Sequence, residues 1–286
     1  MFLDFKEFDM ATMISIVIYI FIFILGVIIG SFLNVCILRI PHKETIVSER
    51  SHCMTCGHIL AWYDLFPLFS YLFLGGKCRY CKAKISPQYP MVEFINGVMA
   101  VLCFVIGGFT PAKIIENTLA TSDFIYSLIL MILSAIMCSV LIVISVIDWR
   151  TFEIPVGTNI FIFILGLLKL IVILVLDSDD SIWLEHIIGF FVVSIPLAII
   201  YYISKGRAIG GGDVKLMAVA GLFLGWKLAL VALIAGCLYG SIIHIIRMKV
   251  SGEGKQLAMG PYLSAGIVTA LWFGNYIVEW YSGFFS

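Results

Sequence analysis

Long apolar runs separated by short polar stretches organise this chain. Windows at 12–39, 88–108, 122–147, 155–176, 183–204, 213–226, 228–247 and 258–281 read as helical spans, since about 20 apolar residues cross a bilayer core of about 30 Å. The sixth window is short, and its border with the seventh, near Gly225-Trp226-Lys227, is the least defined. The pattern predicts an all-α polytopic membrane protein, a bundle of about eight transmembrane helices with one small polar insertion. Its expected domains are 1–39, the first transmembrane helix; 40–87, a cytoplasmic loop; and 88–286, the rest of the bundle.

Composition agrees. Of 286 residues, 62% are hydrophobic and 13% charged, against roughly 45–50% and 25% in soluble domains. Mean hydropathy is +1.08. The net charge is zero, which argues against nucleic acid as the main partner, because phosphate-binding surfaces carry an excess of Lys and Arg. The first run follows the acidic Asp4, Glu7 and Asp9 and lacks a small-residue cleavage site. It is expected to be a retained helix rather than a signal peptide. Eight spans with the N-terminus outside put fourteen Lys and Arg, from Arg39 and Lys43 to Lys249 and Lys255, on one side; Lys6, Lys113, Lys169 and Lys227 fall to or near the other. That positive-inside asymmetry makes 40–87 and the loops around 150, 210 and 252 cytoplasmic. It puts both termini and the acidic cluster Asp177, Asp179 and Asp180 outside.

Four of the eight cysteines, Cys36, Cys103, Cys138 and Cys237, lie in apolar runs and read as small buried hydrophobes. The other four form two C-x-x-C pairs, Cys53/Cys56 and Cys78/Cys81, in the polar loop. The arrangement is close to that of a tetrahedral four-thiolate zinc site, and a cytoplasmic location disfavours disulfides. Unpaired thiols or a redox pair are the alternatives. Four sulfur ligands leave no open position, so the metal is expected to be structural and to supply much of the loop's folding free energy. His52 and His58 flank the first pair and read as solvated loop residues.

Two carboxylates stand out, because an ionisable group at membrane depth is costly and is by default a functional candidate. Asp148 closes the third span in "ISVIDWRTFEIP", and Asp213 opens the sixth in "AIGGGDVKLMAVAG". The bland readings are an interfacial anchor for Asp148 and a helix cap for Asp213. Gly210, Gly211 and Gly212 favour more, since three glycines permit close backbone approach and positive φ. Two carboxylates meeting in one pocket share a proton, one acting as base towards water and the other as donor to a carbonyl oxygen. That is aspartyl peptidase chemistry.

The chain resembles the type IV prepilin peptidases, or prepilin leader peptidase/N-methyltransferases, over nearly its whole length. The resemblance rests on "GSFLNVCILRIP" at 30–41, the cysteine pairs, "GGKCRYCKAKISPQYPMVE" at 75–93, "DWRTFEIP" at 148–155, "GGGDVKLMAVAGLFLGW" from Gly210, and "GPYLSAG" at 260–266. It implies catalytic aspartates at Asp148 and at Asp213, the latter in a G-x-G-D motif with Gly210 and Gly212 as its glycines. It also implies prepilin or pseudopilin substrates of type IV pilus or type II secretion systems, cut at the inner-membrane cytoplasmic face, and S-adenosylmethionine as methyl donor. The sequence holds no G-x-G-x-x-G methyltransferase motif, so a methylation site would be built from the loop and helix ends. Glu93 is its candidate, the bland reading being a carboxylate paired with Lys84 or Arg79. Met54-Thr55 and Ile209-Gly210 depart from the family's usual residues but touch no catalytic position.

Gly26/Gly30 and Gly221/Gly225 give G-x-x-x-G spacing and read as helix packing. Asn34 reads as an interhelical hydrogen bond, Lys215 as a residue pointing away from Asp213 towards lipid phosphate, and Arg150 and Arg207 as lipid headgroup contacts. Pro155 and Pro261 are expected to start helices. The rival functions are a transporter that relays protons or a cation through Asp148 and Asp213, and a scaffold whose cysteine loop docks a partner.

Overall fold

The computed structural model describes residues 4–47, 50–109, 122–176, 182–251 and 257–284, excluding the side chains of 4–11, 122–123 and 251. Asp177, Asp179, Asp180, Lys113, Lys255 and the side chain of Lys6 lie outside the described residues.

Helices fill every apolar window, and no strand forms among the described residues. They are α1 (Asp4–His42), the five-residue α2 (Phe69–Phe73), α3 (Gln88–Ile106), α4 (Ser122–Thr151), α5 (Val156–Leu176), α6 (Ile182–Val192), α7 (Ser194–Ser204), α8 (Gly211–Leu224), α9 (Trp226–Ser251) and α10 (Gly260–Ser282). Six stretches are long and apolar enough to cross a membrane by length and composition: Thr12–His42, Gln88–Ile106, Phe124–Thr151, Val156–Leu176, Ile182–Ser204 and Trp226–Val250. The short sixth window becomes α8, whose 14 residues cover only about 21 Å. The eighth window becomes α10, which is not among the six. The fifth is two helical pieces meeting at Val193. Pro196 has no N–H for the Val192 carbonyl, so the helix breaks there.

The chain divides into two units, 1–124 and 125–286. In the first, α1 packs on α3 through small residues. A Cβ on Gly26 would meet Gly97 and Ala100 at 2.8 Å, and one on Gly30 would meet the Glu93 backbone at 2.7 Å. Two amides staple the pair: Asn34 Nδ2 donates to the Tyr89 carbonyl at 3.0 Å and Asn96 Nδ2 to that of Gly26 at 2.7 Å. Asn34 thus has the interhelical role expected of it. Arg39 donates to the Thr45 carbonyl at 2.9 Å, turning the chain out of α1.

In the second unit α8 is central. Every residue from Leu216 to Leu224 is buried, and α5, α6, α7, α9 and α10 all pack on it. A helix apolar on all sides needs such a setting. Gly221 meets the backbone of Gly189 on α6, so its packing role holds. Gly225 departs from expectation. It ends α8 at φ +88, where an added Cβ would meet nothing closer than 3.9 Å, and it serves the sharp turn into α9 rather than helix contact. Among the apolar-run cysteines, Cys36, Cys103 and Cys138 are buried, but Cys237 is exposed on α9, where a thiol is apolar enough to face lipid. Pro155 immediately precedes α5, and Pro261 lies in the first turn of α10.

Candidate active site

Asp148 lies in the last turn of α4 and Asp213 in the first turn of α8. The fold brings them together: the charge of Asp148 acts directly on Asp213. Asp148 is 4% exposed, and its Oδ2 accepts the backbone N–H of Gly260 at 2.8 Å. Asp213, half-buried, reaches back to the N–H of Gly210. Each carboxylate therefore meets the start of a helix, α10 for Asp148 and α8 for Asp213, where free N–H groups and the positive dipole end favour negative charge.

The glycine segment differs from expectation in one respect. None of Gly210, Gly211 and Gly212 has positive φ; Gly210 is extended and α8 begins already at Gly211. The glycines serve close approach instead. A Cβ on Gly210 would lie 2.9 Å from Asp213 Oδ2, and one on Gly212 would lie 3.0 Å from the Ile154 side chain. Asp213 is consequently inside the helix rather than its N-cap, a position Gly210 holds. Lys215, Arg150 and Arg207 are exposed and have no bond to either aspartate.

Three supporting residues escaped sequence reasoning. Gly260 appeared only inside a longer motif, and its contact with Asp148 bridges 112 positions. Lys169 Nζ donates to the Phe223 carbonyl at 2.8 Å, and His186 Nδ1 meets the Leu222 carbonyl at 2.9 Å. Both satisfy the carbonyls that a short helix ending inside the bundle would otherwise strand. The sequence places Lys169 only as a charge near the outer side.

In the first unit the two cysteine pairs fold alike. Cys53 N–H donates to the His58 carbonyl at 2.9 Å and Cys78 N–H to that of Ala83 at 2.8 Å. Gly57 N–H returns to Cys53 and Lys82 N–H to Cys78, at 2.8 and 3.0 Å, with φ of 70 and 59 at Gly57 and Lys82. The result is two matching knuckles whose four sulfurs lie within 4.8 Å of one another. The N–H groups of Cys56 and Thr55 pull the Cys53 thiol down to about 6. For Cys81 the Ala83 N–H likewise lowers the thiol, but burial and the neighbouring sulfurs together outweigh it and push the thiol up to about 11. Four crowded sulfurs cannot all ionise unless a cation sits among them, so the donor set fits a metal ion. His52 is exposed, and His58 lies against Tyr80 with ring centroids 3.6 Å apart and the planes tilted by 36°; neither belongs to the sulfur cluster.

Glu93, buried on α3, pairs with neither cation considered for it. Arg79 instead binds Asp64, Nε to Oδ1 at 2.7 Å. Glu93 Oε2 accepts the N–H of Leu68 at 2.8 Å, and the Ser31 hydroxyl lies close to the same carboxylate.

Two family models match the chain: the bacterial peptidase A24 N-terminal domain over residues 24–106 and the type IV leader peptidase family over 135–245. Among proteins named prepilin leader peptidase/N-methyltransferase, the chain is 30% identical to one from Myxococcus xanthus, over 82% of this chain and 64% of that protein. It is also 30% identical to one from Bacillus subtilis, over 91% and 96%, and 29% identical to one from Pectobacterium carotovorum, over 85% and 88%. The chain thus spans slightly under two thirds of the Myxococcus relative but nearly all of the Bacillus one. No solved structure matches it.

Proposed function

We propose, for a chain that belongs to the type IV leader peptidase family, that Asp148 and Asp213 are the carboxylates that remove prepilin leaders. The protein is a multi-pass inner-membrane protein, and leader cleavage followed by N-methylation is the pair of activities that this membership brings. The substrates are prepilins or pseudopilins, whose basic leader meets the enzyme at the cytoplasmic face while an apolar helix stays in the bilayer. Both termini lie outside in this topology, and 40–87 is a cytoplasmic insertion.

One observation carries the catalytic assignment: two carboxylates from helices far apart in sequence converge within electrostatic reach, each at a helix start. One carboxylate takes a proton from water as its oxygen attacks the scissile carbonyl carbon. The other gives its proton to the carbonyl oxygen. Collapse of the tetrahedral intermediate expels the amine, which takes the proton held by the first carboxyl, while the second carboxylate recovers a proton from a hydroxyl of the intermediate, and the dyad returns to its starting state. The roles belong to the pair rather than to either residue. Gly211 and Gly212, in the first turn of α8, present N–H groups with no intrahelical acceptor to an extended substrate backbone, and Lys215 lies near enough in sequence to face lipid phosphate at the same rim.

Cys53, Cys56, Cys78 and Cys81 hold a structural zinc ion that folds the loop. S-adenosylmethionine supplies the methyl group for the new N-terminus, and Glu93 is the residue proposed to bind the free amine or the cationic donor. Its buried carboxylate suits a cation, and among the described residues no Lys or Arg is paired with it. The test is to co-express a prepilin and follow its size with Asp148→Ala or Asp213→Ala. Leader removal that persists in both variants would overturn the assignment in favour of a transporter or a docking scaffold.

A further inference from the structure

Between the two knuckles runs the stretch WYDLFPLFSYLFL, residues 62–74, with one charged residue, Asp64. Its apolar side chains are not buried within the protein. Phe73 is 86% and Trp62 79% exposed, and Tyr63, Phe66, Phe69 and Leu72 are exposed as well. Several of these rings line an open groove of about 470 Å³ together with Ser70 and Arg79. So much exposed aromatic surface in one place marks an interaction site.

The stretch is held firmly. Near its start, the Asp64 carboxylate, only 3% exposed, takes Arg79 Nε at 2.7 Å, the Tyr80 hydroxyl at 3.0 Å and the Ala61 N–H at 3.2 Å. Burial opposes charge on Asp64, but these three donors outweigh it and hold the carboxyl below its usual range. The segment is thereby bolted to the second knuckle. Further along, Leu68 forms a γ-turn at φ 60 and ψ −52, closed by the Phe69 N–H on the Pro67 carbonyl at 2.6 Å. Such a turn is strained for a residue other than glycine, and the bond from Leu68 N–H to Glu93 helps to hold it.

That second tie also sets the depth. Glu93 is the sixth residue of α3, the span that begins at Gln88, about 7.5 Å along the helix from its start. The Leu68 amide is hydrogen-bonded at that level, so in a bilayer crossed by α3 the rings beside it would lie level with the membrane rim rather than with bulk water. Met91 and Phe94, on either side of Glu93 in α3, are exposed too and extend the apolar surface along the span. Aromatic side chains are enriched at this depth. Arg79, 5.1 Å over the Tyr63 ring, adds a partly exposed guanidinium beside them, its charge offset by Asp64.

We propose that Trp62–Phe73 is an interfacial anchor whose exposed rings insert at the headgroup–acyl boundary, so that phospholipid fills the groove and the cysteine knuckles are pinned against the membrane. The full-length protein is reconstituted into vesicles of phosphatidylethanolamine and phosphatidylglycerol with p-benzoylphenylalanine in place of Phe73, of Trp62, or of the exposed knuckle residue Thr55. After illumination, the peptides are weighed by mass spectrometry. Positions 73 and 62 should gain the mass of a phospholipid and position 55 should not, with or without added S-adenosylmethionine. Absence of lipid adducts at both 62 and 73, equal lipid labelling at 55, or lipid adducts displaced by S-adenosylmethionine would overturn the proposal, the last outcome making the groove a cofactor site.

Discussion

The backbone N–H of Gly260 donates to Oδ2 of Asp148 across 2.8 Å, tying the start of α10 to the end of α4. A Cβ at position 260 would sit 2.7 Å from that same oxygen, so only glycine lets the helix start approach so closely. Gly260→Ala should shift the carboxylate and lower leader cleavage by about 10²-fold, the scale of a 1 Å misplacement. Thermal unfolding of the purified protein should change little. Unimpaired cleavage in the variant would mean that this contact does not position a reacting group.

Asp148→Asn and Asp213→Asn keep side-chain volume while removing the transferable proton. Each should reduce cleavage by at least about 10²–10⁴-fold, the range of general acid–base catalysis. The double variant should be no worse than the more damaged single one, because residues acting as a unit are not additive. Single-turnover cleavage of a purified prepilin measures all three.

Gly212→Val places a branched side chain where a Cβ alone would already lie 3.0 Å from Ile154. Cleavage should fall while the melting temperature stays near that of the parent, because the clash sits in the half-buried first turn of α8 rather than in its buried length. Full activity in this variant would remove close backbone approach from the account of the glycine segment.

Lys169→Met removes the donor to the Phe223 carbonyl near the end of α8. An unsatisfied buried acceptor costs about 1–3 kcal/mol, so the variant should melt at lower temperature in the same detergent or lipid. Lys169→Arg, which keeps donors on a long stem, should recover part of the loss.

Elemental analysis should find about one zinc ion per chain, the content expected of a four-thiolate site. Cys56→Ser or Cys81→Ser should lower that content and expose the 50–87 loop to limited proteolysis, while the membrane helices remain protected. A metal-free protein with an equally resistant loop would show that the knuckles fold without an ion.

The apolar windows foretold where helices lie because burial in hydrocarbon is decided residue by residue along a run. Asn34 and Gly26/Gly30 were legible for a similar reason, as polar or small residues in a span have few uses besides helix contact. Gly225 was misread because G-x-x-x-G spacing does not distinguish a packing face from a turn; the positive φ that decides it is set by where α8 must stop. The partner of Lys169 was not legible, because position along the chain places a charge but not the carbonyl 54 residues away that it meets.

Membrane class, helix positions, the paired cysteines and the two candidate acids were thus written in the amino-acid order itself, since each depends on local composition or short spacing. What brings Asp148 beside Asp213, sets Gly260 against the first of them and ties Leu68 to Glu93 is helix packing. Those contacts join residues from 25 to 112 positions apart, and no local pattern encodes which faces of distant helices will meet.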